Sequence, residues 1–487
     1  MRELASYYER MRHAYPEEKL IILFDIDGTI LDMRHMMLHV LQAYDFKNGT
    51  NYFHHLKVAD ITVHENHVDR LLEDLHISSQ EQEKIMSWYV EQRWSHIAIL
   101  ESHHPYRGVM EVIRWFQFQP DTYVGLNTGR PNSLREDTLR SLNKIGKEYR
   151  VQFTSEYLYM NPLEWEEKVA NSKADGVEHF QKAGYRVFSV VDNEPDNLKA
   201  ISKIDPKNEI LLLHADTIFE SKRTKIPHHS VLKGKEYDLT ELITEKTIPG
   251  RVQLVWHGIN DEANLRQFLA SDIFWGEIDV RREPISDKLL LRHDSFEESP
   301  LQEDEEFHLV GEFLKKIKKH ERGAKLDLKE GGVTIDRVLD EVESIGFNAS
   351  NLWFNGNVER LQEEGFRKLS ERLSSAVLQC PADFLAPLVL GAPDKAKEIF
   401  DMFSDWGINR FSLNWKTPNK REIFDQMDHW GFEVNIYNVP DLEAFLQAIL
   451  LLPRSITSDF NFPKWHYYGR GSGEKLARIE YKIEVTS

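Results

Sequence analysis

The chain has 487 residues, 41% of them hydrophobic and 11% aromatic, which excludes a single small module and a disordered or collagen-like polymer. Its 61 Lys and Arg against 80 Asp and Glu leave a formal charge of −19, which repels polyphosphate backbones and excludes nucleic acid as an expected partner. An acidic protein that handles phosphorylated compounds must neutralise its site with metal cations, so clustered carboxylates are the feature to seek.

Residues 1–19 are densely charged and run straight into the apolar residues 20–24, without the apolar core or cleavage site of a signal peptide. No apolar run reaches the roughly 18 residues of a membrane span, and residues 444–453 are too short and contain Gln447. The single cysteine, Cys380, cannot form an intramolecular disulfide, so a reducing compartment, the cytoplasm, is expected. Short apolar runs at residues 21–24, 122–126, 187–191 and 210–213 alternate with helix-period segments, which predicts an α/β fold with a doubly wound parallel sheet. Between them, at about 33–104, the pattern turns polar, helical and rich in His and Glu; it reads as an inserted helical cap. Its His54, His55, His64 and His67 are read as surface or packing histidines, because His64-x-x-His67 has no partner carboxylate pattern.

FDIDGT, residues 24–29, sets Asp25 and Asp27 two apart directly after a strand, with Gly28 allowing a sharp turn. Both carboxylates then reach one small volume at the ligand crevice, where one can attack phosphorus while the other moves a proton. LNTGRP offers Thr128 and the amide of Gly129 at a strand end for a phosphoryl oxygen. Lys173 stands before a helix, and is preferred to Lys168 because residues 174–183 read as the helix leading to the next strand. VVDNEPDN supplies Asp192 and Asp196 after a further strand.

With these four motifs in this order, residues 20–213 resemble the haloacid dehalogenase superfamily of phosphatases. The resemblance implies Asp25 as the nucleophile that forms an aspartyl phosphate and Asp27 as general acid and base. It also implies Thr128, Gly129 and Lys173 as phosphate binders, and a Mg²⁺ site with Asp25 and Asp192 as ligands and Asp27 and Asp196 as further ligands. The insertion stands where this superfamily places a cap that contributes to substrate choice.

A polar stretch at residues 227–250 separates the two halves; the expected division is 1–235, a linker at 236–250, and 251–487. In the second half, strand-like runs fall at residues 253–255, 276–280, 288–291, 324–328, 352–354, 385–390, 411–414 and 433–437, with helical segments between. Eight such runs predict a closed (β/α)8 barrel of the TIM type. The acidic residues 297–306 read as a solvated loop. LVWHGIND ends a strand with His257, and GEIDV puts Glu277 and Asp279 on one side of a strand, where they can share a cation. LLLRHDS brings His293, and KLDLK brings Asp327 and Lys329, again two apart. Two imidazoles near a carboxylate-bound cation can act as base and acid on a phosphodiester, with metal and lysine absorbing the developing charge.

That order resembles the phospholipase-C-like phosphodiesterase barrels, especially the glycerophosphodiester phosphodiesterases, over residues 251–463. It implies His257 and His293 as general acid and base, Glu277, Asp279 and Asp327 as ligands of Mg²⁺ or Ca²⁺, and Lys329 as electrostatic stabiliser. The late segments VNIYNV and SITSDF, the latter ending near Asp459, fall where that family has its last two strands. Two features depart from that family: Gly258 follows the first His where it has Arg, and its long loop before a Glu-Asn-Thr sequence shrinks to residues 261–264. The compressed WHGINDEANL and WFNG, residues 353–356, are similar to the menorin branch of the same superfamily.

Together these readings predict a metal-dependent phosphoric ester hydrolase of small phosphorylated substrates. In this reading the barrel cleaves a diester and the capped domain removes phosphate from the released monoester. The alternative enzyme is a phosphomonoesterase whose barrel only binds or regulates, and a third reading is a catalytically silent interaction protein. The sequence leaves the oligomeric state open.

Overall fold

The computed structural model describes residues 1–163, 168–215, 231–234, 237–243, 248–300 and 307–458. By internal contact the chain divides into two compact units, Met1–Leu242 and Ile243–Ser487.

The first unit is built on a parallel sheet of β1 (Leu20–Phe24), β2 (Thr122–Pro131), β3 (Leu158–Asn161), β4 (Arg186–Asp192), β5 (Leu211–Ala215) and β6 (Val231–Gly234). Its order is β3-β2-β1-β4-β5-β6, so the chain reverses its direction of growth at β1, between β2 and β4. Crevices for ligands open at that switch point, beyond the carboxyl ends of the strands. All five residues of β1 are buried, as expected of a central strand covered on both faces, and Ile21 and Leu23 pack with Val177, Phe180, Val187, Val190 and Leu198. The four expected runs fall on β1, β2, β4 and β5. β3 escaped prediction because LYMN is short and interrupts its apolar residues with Tyr159 and Asn161. Between β1 and the helix Val109–Gln117 stand the cap helices Arg34–Asn48, Val68–Asp74, Ser79–Gln92 and His96–Glu101. Lys173 lies inside the helix Val169–Lys182 rather than before it; the start is set by Lys168, whose φ of 49° breaks the helical backbone.

The second unit closes a ring of eight parallel strands among the described residues: β7 (Gln253–Trp256), β8 (Trp275–Arg282), β10 (Gly323–Leu328), β11 (Leu352–Asn355), β12 (Val377–Pro381), β13 (Arg410–Asn414), β14 (Val434–Val439) and β15 (Ser455–Ser458). Pairing of β10 with β8 completes the circle. Two expected strands change role. Residues 288–291 contribute β9 (Leu289–Leu291), an antiparallel ribbon on the end of β8 outside the ring. Residues 385–390 fold into the helix Ala386–Gly391, whose Pro387 lies in a first turn that needs no backbone donor. The strand of that segment is β12, missed because Gln379 interrupts its apolar run. The 297–306 stretch lies partly outside the described residues, and of SITSDF residues 455–458 form β15 while Asp459 lies outside the described residues. Among the described residues no helix is long and apolar enough to cross a membrane.

Parallel register lines the barrel residues into rows. Glu277 pairs with Lys325, which pairs in turn with Trp353, and Asp279 pairs with Asp327, which pairs with Asn355, itself paired with Gln379. A row of polar side chains therefore runs around the barrel.

Candidate functional site

In the first unit, Asp25 follows β1 directly, and its N–H donates to the Val191 carbonyl at 2.9 Å, tying the DxD motif to the end of β4. Lys173 reaches across from its helix: Nζ lies 2.5 Å from Asp25 Oδ1, 2.7 Å from Asp192 Oδ2 and 2.5 Å from the Asn127 carbonyl. All three charged groups are buried, with Asp25 6%, Lys173 2% and Asp192 1% exposed. Asp192 also accepts the Glu194 N–H at 2.8 Å and the Asn197 amide at 3.0 Å, and Thr29 Oγ1 donates to Asp25 Oδ2 at 3.3 Å. Burial pushes the Asp25 carboxyl up to about 7; Lys173 opposes this, while Asp192 and Asp27 add to it. Lys173 remains firmly protonated, since Asp192 and Asp25 outweigh the penalty of its own burial.

Asp27 is gripped by Arg130, whose Nε and Nη2 donate to its two oxygens at 2.8 and 2.6 Å. Such a fork fixes a carboxylate's plane as well as its charge. Arg130 is fully buried, bonds Thr138 through Nη1 at 3.1 Å, and lies 5.1 Å from the Trp94 ring of the cap. It stands in LNTGRP, yet only the fold reveals its partner. Thr128 Oγ1 accepts the Arg130 N–H at 3.2 Å. Gly129 permits the tight approach of Val169, whose Cγ1 would lie 2.9 Å from an added Cβ. Asp196 does not join the group through any hydrogen bond or ion pair among the described residues. Successive helical residues point about 100° apart, and buried Asn197 faces Asp192 in place of half-buried Asp196.

The cap contributes polar groups that the sequence reading assigned to surface or packing. His64 is buried, with Nε2 3.5 Å from Glu194 and 3.6 Å from Glu65, and its Nδ1 accepts the Asn66 N–H. Burial raises the Glu65 carboxyl; His64 opposes and Asp27 adds to the rise.

Two carboxylates sharing one lysine leave Asp25, Asp192 and Lys173 one positive charge short, whereas Asp27 and Arg130 balance. The oxygen donors and the missing charge suit a hard divalent ion such as Mg²⁺. Among the described residues of either unit, no three His, Cys, Asp or Glu side chains converge as a ready metal cluster.

In the second unit, His257, Glu277, His293, Asp327, Lys329, Lys325 and Arg360 line one cavity of about 260 Å³ at the carboxyl ends of the strands. Lys329 bridges two carboxylates, 2.8 Å from Asp279 Oδ1 and in close contact with Asp327 Oδ2. The remaining oxygens of that pair are taken by amides, Asn260 on Asp279 and Asn355 on Asp327, both at 2.6 Å. Gln379 extends the chain to Asn355 at 2.7 Å. Lys325 donates to Glu277 at 3.2 Å and to Thr457 Oγ1 at 3.1 Å, its Nζ 4.9 Å from the Trp353 ring. Although burial alone would raise it, the Asp279 carboxyl is held below its usual range by Lys329, Asn260 and His257. His293 sits at the rim, largely exposed, with Nδ1 2.9 Å from Asp294. Gly258 adopts φ 69°, and an added Cβ there would meet open space, so the residue serves the backbone turn after His257. Sequence reasoning missed Lys325, Asn260, Asn355 and Arg360. Lys325 shares the period-two spacing of Asp327 and Lys329, which could have revealed it.

No protein-family model matches the chain, and no curated protein matches it. Among solved structures, the chain is similar to a glycerophosphodiester phosphodiesterase from Agrobacterium tumefaciens, 16% identical over 43% of this chain and 96% of that one, with a TM-score of 0.31. It is similar to an Oleispira antarctica phosphodiesterase in complex with the product sn-glycerol-3-phosphate, 14% identical over 48% of this chain and 98% of that one, TM-score 0.35. It is also similar to a haloacid dehalogenase-like family hydrolase from Streptococcus pneumoniae, 14% identical over 42% of this chain and 87% of that one, TM-score 0.28.

Proposed function

We propose that the chain is a phosphoric ester hydrolase with a phosphomonoesterase site at Asp25 and a phosphodiesterase site in the barrel mouth. The observation that carries the reading is the buried triplet of Asp25, Lys173 and Asp192 at the switch point of the sheet. An Asp25 oxygen attacks phosphorus, the phosphorus–oxygen bond to the leaving group breaks, and the departing alkoxide takes a proton from Asp27. In the second half-reaction Asp27 takes a proton from water, which attacks the aspartyl phosphate and releases inorganic phosphate and the free Asp25 carboxylate. Arg130 aligns Asp27 for both transfers, and Lys173 holds a phosphoryl oxygen beside Asp25. Asp25 and Asp192 would hold Mg²⁺, which when bound supplies the missing positive charge on the phosphoryl oxygens.

In the barrel, His257 and His293 exchange protons with the attacking water and the leaving alkoxide, while Lys329 and Arg360 face the non-bridging oxygens. The shared cavity supports this reading, since all four residues line it. A diester opened in the barrel yields a monoester of the kind the first site takes, and the two steps act in sequence. The test is a panel of phosphomonoesters and diesters given to wild type, Asp25→Asn and His257→Ala, with and without chelator. Losses confined to opposite substrate classes are expected. Diester turnover untouched by His257→Ala would favour a barrel that only binds.

A further inference from the structure

The two sites differ in how their negative charge is met. In the first unit one lysine serves two carboxylates. In the barrel one lysine again serves two carboxylates, but the third carboxylate has a lysine of its own. Lys325 lies in register with Glu277 and donates to it, and Lys329 spans Asp279 and Asp327. Three of the four oxygens of those two aspartates accept N–H donors, from Lys329, Asn260 and Asn355, and the fourth, Asp279 Oδ1, lies 2.8 Å from the Lys329 ammonium as an ion pair without a hydrogen bond. Lys325 is itself buried, held by Glu277, Thr457 and the face of Trp353. A divalent ion placed among these carboxylates would meet two ammonium groups already seated there. Counting Asp279, which Lys329 holds although it does not line the cavity, three carboxylates meet three positive charges, on Lys325, Lys329 and Arg360, so the site carries no charge deficit.

We infer that the barrel mouth takes its anionic phosphoryl ligand directly on Lys329 and Arg360, with the two lysines standing where a divalent cation would otherwise be required. The donor set at Glu277, Asp279 and Asp327 does not fit a resident metal. Lys329 is the natural contact because its ammonium is shared rather than saturated by a single partner, and a phosphoryl oxygen can be its third acceptor. Arg360 borders the same cavity, with its Nη1 donating to the Lys329 carbonyl at 3.2 Å. The inference rests on the reading of this cavity as a phosphoryl site, but not on turnover there.

The test counts ions and anions separately on the full chain. Equilibrium dialysis against Mg²⁺, and separately Ca²⁺, with metal analysis compares wild type, Asp327→Asn and Asp192→Asn. Wild type should hold no more than one ion, with the count unchanged in Asp327→Asn. A second ion that disappears in Asp327→Asn would overturn the inference while leaving the diesterase reading standing. Dimethyl phosphate, a diester monoanion, is then titrated by calorimetry in excess chelator. It should bind, and Lys329→Met should weaken it about tenfold, the scale of one charge-assisted hydrogen bond. Binding that appears only when Ca²⁺ or Mg²⁺ is restored would overturn the inference. If Lys329→Met fails to fold, the wild-type ion count and the wild-type titration in chelator still decide. Binding without metal but no diester turnover would instead defeat the diesterase reading and spare this one.

Discussion

Replacing the nucleophile should stabilise the protein. Asp25 rises from an ordinary 3.8 to about 7 because burial is only partly offset by a lysine that Asp192 also claims. A carboxyl that is raised in the fold makes folding less favourable once it is ionised. The penalty is absent below about pH 4, grows as pH climbs towards 7, and is constant above that. A rise of about three pK units corresponds to about 4 kcal/mol at 1.36 kcal/mol each. Asn is neutral throughout, so Asp25→Asn should be more stable than wild type by about 4 kcal/mol at pH 8, shrinking to about 2 kcal/mol at pH 5. Because two units need not unfold together, the assay is amide hydrogen exchange in urea, read on β1 and β4 with chelator present. An expected gain of about 10³ in protection at pH 8 follows from the same free energy. Equal or lower protection in Asp25→Asn at pH 8, or a gap that fails to close on acidification, would refute the reasoning.

Monoester hydrolysis at limiting Mg²⁺ should fall as pH drops below about 7, because only ionised Asp25 attacks. Saturating Mg²⁺ should move that limb to lower pH, since a cation favours the carboxylate; pH–rate profiles with an immobile limb would contradict the Asp25–Asp192 ion site. In the barrel, Lys325→Met strands the buried Glu277 carboxylate and should cost about 3–5 kcal/mol, read by exchange on β8 and β10. Adding Glu277→Gln should restore most of that loss, and a double variant no better than the single one would show that Lys325 matters only for packing.

How much was legible in advance depended on how each element is buried. β1 and β4 announce themselves because central parallel strands bury both faces and so carry unbroken apolar runs. β12 does not, because its Gln379 turns towards the polar row of the barrel, while the nearby apolar run 385–390 belongs to a helix. Asp25 and Asp192 could be singled out since each follows a recognisable strand. Arg130 could not, because a charged residue beside a glycine looks like an exposed loop until Asp27 is seen opposite it. Asn197 was passed over for Asp196 because the phase of the helix, not residue chemistry, decides which of them meets Asp192. In the barrel, KLDLK displayed its period, but that Lys325 neutralises Glu277 depends on the register of β10 against β8.

The central claim is that Asp25 becomes phosphorylated during turnover. The direct measurement is mass analysis of peptides from protein quenched in acid within the first turnover of a phosphomonoester with Mg²⁺. One added phosphoryl group on the peptide bearing Asp25, absent from Asp25→Asn, is the predicted result. A chain that releases phosphate while every quenched sample carries that peptide unmodified, or carries the group on another residue, would contradict it.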